Sequence, residues 1–194
     1  MMVRLKRIIL SFFVLGVLAV STDSYAALYQ VDPVYSSVIF KIQHLAGYTV
    51  GLFRNFAGKI ELSDDNNKVV SLEATVDIRS IYTRNNQRDR DLRSPMIFDA
   101  KKFPKAQFTA KKIDEKKMIG DLTIKDKTKE VTLDYTIGGV TKDQWGHTKV
   151  ALSAKGVISR KDFGIAYNRK LDDGQMLLGD QVELQIEMEG ILQQ

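Results

Sequence analysis

The 194-residue chain has no cysteine, three prolines, two histidines and one tryptophan. Without cysteine there is no disulfide staple, no thiol nucleophile and no thiolate ligand, so stability must come from a buried core. With only His44 and His147 available, a histidine-built metal site is not expected, and no cofactor is expected either. Long apolar runs are scarce. The one at residues 8–20 is about 13 residues long, short of the ~20 that a membrane-spanning helix needs. It follows Arg4, Lys6 and Arg7 and precedes Ser24-Tyr25-Ala26, the pattern of a cleavable export signal. Cleavage after Ala26 would leave residues 27–194 as one periplasmic domain, large enough for a sizeable core. An uncleaved anchor is the plainer alternative. Loss of the leader removes three basic residues and Asp23, so the formal charge falls from +5 to +3. The remaining Lys and Arg are interspersed with Asp and Glu, and no basic tail stands out, so a nucleic-acid partner is not expected.

What the chain does have is alternation. Val70, Leu72, Ala74, Val76 and Ile78 share one face of a period-two pattern. So do Val131, Leu133, Tyr135 and Ile137, and Val182, Leu184, Ile186 and Met188. Each set faces polar neighbours, which predicts antiparallel strands with one buried and one solvated side. Weaker versions run over 34–43, 50–62, 107–112, 118–124 and 149–159. That gives about eight strands, joined by polar turns at Asp64-Asp65-Asn66-Asn67, Asp114-Glu115-Lys116 and Gly138-Gly139. Many short strands in one domain suit a sandwich or a closed barrel, and periodicity does not choose between them. Closure would remove the unpaired edges.

One segment breaks the pattern. Residues 88–108, RDRDLRSPMIFDAKKFPKAQF, begin densely charged and turn apolar at Met96, Ile97 and Phe98. Thr83 is placed to cap a short helix over 84–93, with Gln87 near its N3 position, and Pro95 to stop it. Leu92 is the one apolar anchor, so the helix charges read as a solvated face across a barrel end. Alternatively, Arg88 and Arg93 reach a ligand's anionic or polar head, for which the guanidinium fork is suited.

Catalytic signatures are missing: no G-x-S-x-G, P-loop, G-x-G-x-x-G or H-E-x-x-H occurs. His44 reads either as a satisfied turn residue or as a polar contact inside an apolar pocket. His147, after Trp145-Gly146, reads as surface. The phenylalanines at 40, 53, 56, 98, 103 and 108 would serve a filled core or line a tunnel equally well.

Five short stretches, in order, resemble the YceI-like family. They are Phe40-Lys41-Ile42-Gln43-His44-Leu45; 50–58 with Gly51, Phe53, Phe56 and Gly58; the 88–108 segment; Gly120-Asp121-Leu122-Thr123-Ile124 with Thr128 to Val131; and Lys161-Asp162-Phe163-Gly164-Ile165. The resemblance covers nearly the whole chain after Ala26. It implies an all-β, antiparallel, eight-stranded lipocalin-like barrel with one short helical insertion. It also implies non-catalytic binding, storage or transport of a polyisoprenoid, such as a quinone or prenyl phosphate. On that expectation the ligand site is drawn from Phe40, Ile42, His44, Phe53, Phe56, Leu72, Ala74, Val76, Arg88, Arg93, Phe98, Phe103, Phe108, Leu122, Leu152, Ala154, Leu184 and Ile186. A homodimer and a transient membrane or membrane-protein contact are further partners it raises. The chain departs from the family pattern at Asp91, where His is frequent, at Met96-Ile97, where Asp-Phe is frequent, and at Asp126-Lys127 in place of Gly-Val. Three other readings stand beside this one: an outer-membrane barrel, a ligand-free structural or stress-related interaction protein, and a lipid-modifying enzyme using the 88–93 charges.

Overall fold

The computed structural model describes residues 26–66 and 68–193. The proposed leader therefore lies outside the described residues, apart from Ala26, and so does Asn67. Eleven strand segments make one sheet: β1 (Ala27–Val31), β2 (Ser37–His44), β3 (Gly47–Phe53), β4 (Phe56–Leu62), β5 (Val69–Asp77), β6 (Ile81–Tyr82), β7 (Lys105–Ile113), β8 (Lys117–Ile124), β9 (Lys127–Lys142), β10 (Thr148–Ser159) and β11 (Leu178–Leu192). A helix, α1 (Asn86–Arg93), follows β6. Every pairing between these strands is antiparallel, and β1 pairs with both β4 and β11, which closes the sheet on itself.

The eleven segments act as eight barrel strands. β1 and β2 run end to end along β11, β3 and β4 along β2 and β1, and β5 and β6 along β4 and β3. The protein is thus a closed, eight-stranded, antiparallel barrel, as expected, with the three breaks at 32–36, 54–55 and 78–80. Each break bends a strand that would otherwise be too long and straight for a tight barrel. The stretch 50–62 is therefore two segments, and Val34, expected in a strand, sits 79% exposed in the first break.

Inward positions are apolar and outward positions mostly polar, the reverse of a transmembrane barrel. In β5 the inward set is Leu72, Ala74 and Val76. Val70 does not belong to it. Glu61 opposes Ser71 and Leu62 opposes Val69, so Val70 bulges out, 50% exposed, and Val69 takes the buried place. Gly138-Gly139 is likewise not a turn. It is a bulge inside β9, where Leu152 opposes Ile137 and Ala151 opposes Gly139, and Gly139 adopts φ +110°, a conformation side-chain-bearing residues avoid. The turn falls later, at Asp143–His147.

The barrel is filled along only half its length. Tyr29, Val31, Ile60, Leu62, Val69, Leu72, Met118, Leu133, Tyr135, Val150 and Leu152 pack together at the end carrying the β4–β5, β7–β8 and β9–β10 turns. Truncating any of the fully buried aliphatics here to Ala is of the kind that costs about 2–5 kcal/mol. Two phenols enter this core. Tyr29 donates to Asn66 Oδ1 at 3.1 Å and Tyr135 to the Asp114 carbonyl at 2.6 Å. Burial pushes both phenols above their ordinary value. A raised folded pKa means stability that is fully present below about pH 10 and lost as pH rises through the folded value. The urea midpoint is therefore expected to fall more steeply above about pH 10 in the native chain than in the Tyr29→Phe/Tyr135→Phe double variant. Parallel alkaline limbs for the two would refute this.

Candidate functional site

The other half of the barrel is hollow. A cavity of about 470 Å³ opens at the end bearing α1, the β2–β3 and β8–β9 turns and the 160–177 segment. That volume falls in the range of about 300–1,000 Å³ typical of small-molecule sites. Its wall is built by the same alternation that builds the core: Val38, Phe40 and Ile42 on β2, Ala74 and Val76 on β5, Ala106 and Phe108 on β7, Leu122 and Ile124 on β8, and Val182, Leu184 and Ile186 on β11. Phe40 and Phe53 lie 5.6 Å apart at 44°, and the Phe40 ring lies over Gly51. A Cβ at 51 would overlap Phe40 and crowd Thr83, so glycine is required there for close approach.

The polar groups of the lining are His44, Thr49, Thr83, Arg88 and Asp91 on the β2–β3–α1 side, Gln107 on β7, and Arg160 and Tyr167 in the segment after β10. The sequence expectation placed the helix cap at Thr83. The cap is instead Asn85, whose side chain accepts from the Arg88 backbone N–H at 2.9 Å. Thr83 is only 2% exposed, and its backbone N–H and hydroxyl donate to Asp89 Oδ1 at 2.8 and 2.6 Å. Arg88 then donates through Nε to the Thr83 hydroxyl at 2.8 Å and through Nη2 to its carbonyl at 2.7 Å. Asp89, 2% exposed, is thus a buried strut rather than part of a solvated face. Of the five guanidinium N–H groups of Arg88, three have no acceptor among the described residues. The His44 imidazole likewise makes no hydrogen bond with another described residue.

The segment after α1 folds back under it. Phe98 N donates to Leu92 O, Asp99 N to Ser94 O and Ala100 N to Arg93 O at 3.1, 2.8 and 3.0 Å. Lys125 in the β8–β9 turn donates to Ile97 O at 3.0 Å and ties the two rims together. Lys125 itself carries the positive φ (58°) of that two-residue turn, formed by Lys125-Asp126. On the opposite rim, Arg160 is only 4% exposed. Its Nε reaches Gly179 O at 2.8 Å, its Nη1 reaches Ile165 O and Tyr167 O at 2.7 Å each, and its Nη2 reaches Asp180 Oδ1 at 3.0 Å. The Lys161 ammonium, 2.6 Å from Asp180, joins Arg160 in holding that carboxyl below the usual carboxylate range.

Of the expected site residues, Phe40, Ile42, His44, Phe53, Ala74, Val76, Arg88, Phe98, Phe108, Leu122, Leu184 and Ile186 do line the cavity. Six do not. Leu72, Leu152 and Ala154 belong to the packed half, and Phe56 packs against it. Arg93 turns back to donate to Asp89 O at 2.8 Å, and Phe103 lies under the Lys102 ammonium, 5.0 Å away. Period two gave an apolar side for β5, β9 and β11 but not the height along the barrel axis, which separates core from cavity. The sequence reading passed over Thr49, Arg160, Phe163, Ile165, Leu177 and Leu178, all on the lining. For Phe163 and Ile165 the signal was present in the Lys161–Ile165 motif; for Arg160 none was. Asp91, Met96 and Ile97, where the chain departs from the family pattern, all border the cavity.

A family model described as "YceI-like domain" matches residues 29–190. A UPF0312 protein of Staphylococcus epidermidis is 38% identical over 81% of this chain and 94% of its own length. Protein YceI of Salmonella arizonae is 33% identical over 97% of this chain and its full length. Among solved structures, a Campylobacter jejuni YCEI protein superposes with a TM-score of 0.64 at 34% identity, covering 74% of this chain and 85% of its own. At 13% identity, a polyisoprenoid binding domain from Saccharophagus degradans shares the fold, with a TM-score of 0.60 over 85% of this chain and 98% of its own.

Proposed function

The chain belongs to the YceI-like domain family, and we propose that it binds the tail of a polyisoprenoid or similar long-chain amphiphile in the hollow half of the barrel, to store or carry it without chemical change. The observation that carries this is the cavity itself: a side-chain-lined space with aliphatic and phenylalanine walls and only a few polar groups among them. An apolar tail leaving water for such a lining gains about 25 cal/mol per Å² buried. The fold shared with the Saccharophagus degradans domain supports the same ligand class. Arg88, held by Thr83 with donors to spare, is the group this reading assigns to the oxygen atoms of a phosphate or quinone head. Thr83, whose hydroxyl is held between Arg88 and Asp89, serves as a strut in this reading.

The test is organic extraction of gently purified protein followed by mass spectrometry, with uptake of a prenyl phosphate from cyclodextrin as the companion assay. A prenyl lipid is expected in the extract. Lipid-free preparations that also fail to take up prenyl phosphate would overturn the reading. Arg88→Gln is expected to weaken prenyl phosphate binding about tenfold or more, the scale of a lost charge-assisted hydrogen bond, while leaving a neutral prenol nearly unaffected. Equal losses for both ligands would assign Arg88 to the scaffold alone. Export to the periplasm is part of the same proposal, and a mature N-terminus at Ala27 is its expected signature.

A further inference from the structure

Basic residues outnumber acidic ones on the α1 side of the mouth. On the walls, three lysines find acidic partners, Lys41 with Glu183 at 3.1 Å, Lys111 with Asp121 at 2.7 Å, and Lys149 with Glu189 and Asp32 at 3.3 and 3.5 Å, while others such as Lys129 and Lys155 stand singly among the described residues. On α1 and the segment behind it, Arg84, Arg90, Arg93, Lys101 and Lys102 have no acidic partner within 4.0 Å among the described residues. Within 84–104 the acidic residues are Asp89, Asp91 and Asp99, and Asp89 is buried. This rim is therefore a local excess of exposed positive charge.

Apolar side chains stand out to solvent beside it. Met96, on the lining, is 62% exposed. Across the mouth, Tyr167 on the lining is 37% exposed, Met176 52% and Leu45 45%. The Leu45 N–H donates to Leu177 O at 3.0 Å, which holds the β2–β3 turn and the 164–177 loop together as one rim. Unpaired cations with protruding apolar side chains form a surface that attracts anionic headgroups and inserts shallowly between them. A soluble acidic partner would match the cations but would leave the protruding Met and Leu without a reason to ring a cavity opening.

We propose that the mouth end docks on an anionic lipid bilayer, so that the cavity opens directly onto the membrane from which it loads. What is loaded rests on the reading above; the docking itself does not. The test uses full-length mature protein and vesicles of phosphatidylcholine alone or mixed with phosphatidylglycerol, with binding read by co-sedimentation. Binding to the anionic vesicles only, weakening as salt is raised, is expected. Lys101→Glu/Lys102→Glu should reduce it at least about tenfold. Lys116→Glu/Lys117→Glu, an equal charge change in the β7–β8 turn at the packed end, should leave it nearly intact. Met96→Asp should reduce it without altering the thermal midpoint.

Equal binding to neutral vesicles, or equal losses from the two lysine pairs, would overturn the proposal. So would salt-sensitive capture of an acidic protein with no vesicle binding. Prenyl phosphate uptake from cyclodextrin separates the two claims. Uptake without vesicle binding removes the docking surface and keeps the cavity reading. Vesicle binding without uptake does the opposite.

Discussion

Ala74→Trp is expected to give a folded barrel that no longer takes up lipid. Ala74 lies on β5 between Gly58 of β4 and Phe108 of β7, with its side chain on the cavity lining and half-buried. An indole has open space to enter, and a side chain of that size occupies a large part of a cavity of about 470 Å³. The same substitution at Ala154 has the opposite outcome. Ala154 is 7% exposed and paired between Tyr135 and Ile186 within the packed cluster. Overpacking there is expected to cost about 1–3 kcal/mol or more, with the damage appearing first in the urea midpoint. Two alanines on inward-facing positions thus become a probe for where the core stops. Prenyl phosphate uptake by folded Ala74→Trp protein would refute the cavity assignment. An unperturbed Ala154→Trp variant would refute the packed half.

The largest stability loss from a single polar side chain is expected at Arg160. Its guanidinium makes four hydrogen bonds that collect the carbonyls of Ile165, Tyr167 and Gly179 and the Asp180 carboxylate around one buried centre. Arg160→Met keeps the length and removes every donor. The freed carbonyls must then find water or remain unpaired, and each buried unpaired group costs about 1–3 kcal/mol. A loss of roughly 3 kcal/mol or more follows, a large share of the 5–15 kcal/mol that holds a typical domain together. Arg160→Lys should recover little, because a point ammonium does not span the directions of a planar fork. The accompanying sign is local: the 164–177 loop should become the preferred site of limited proteolysis. A drop under about 1 kcal/mol with an uncut loop would show that the loop is held by something else.

Much of this arrangement could be read in the residues. The strand count follows from period two, because a half-buried strand needs apolar side chains on alternate positions. β2, β5, β9 and β11 display that pattern over several residues each. The apolar side of β5, β9 and β11 followed as well, except at Val70, where a bulge shifts the phase by one. Bulges, like the one at Gly138-Gly139, are set by the register of two strands distant in sequence, so neither strand alone contains the signal. The same holds for the division between filled and hollow halves. Leu152 and Leu184 look alike in sequence, and only the pairing register places one in the core and the other on the cavity. Thr83 and Asp89 illustrate a third limit. A threonine ahead of a helix suits both a cap and a buried strut, and the choice is made by Asp89 and Arg88, which hold the Thr83 hydroxyl between them.

β11 has a dual partnership with a consequence for how the molecule comes into being. Its first part pairs with β2 along the cavity wall and its last part with β1 along the packed half. Tyr29 meets Leu192, so the seam joins the two ends of the described chain. Contacts so distant in sequence form late and slowly. Until that seam zips, β11 and the β1–β2 edge remain open templates for pairing with other chains. The compartment has no half-built form. It comes into existence in the same step that removes the last edge, so a chain able to hold a ligand is also one already protected from aggregation.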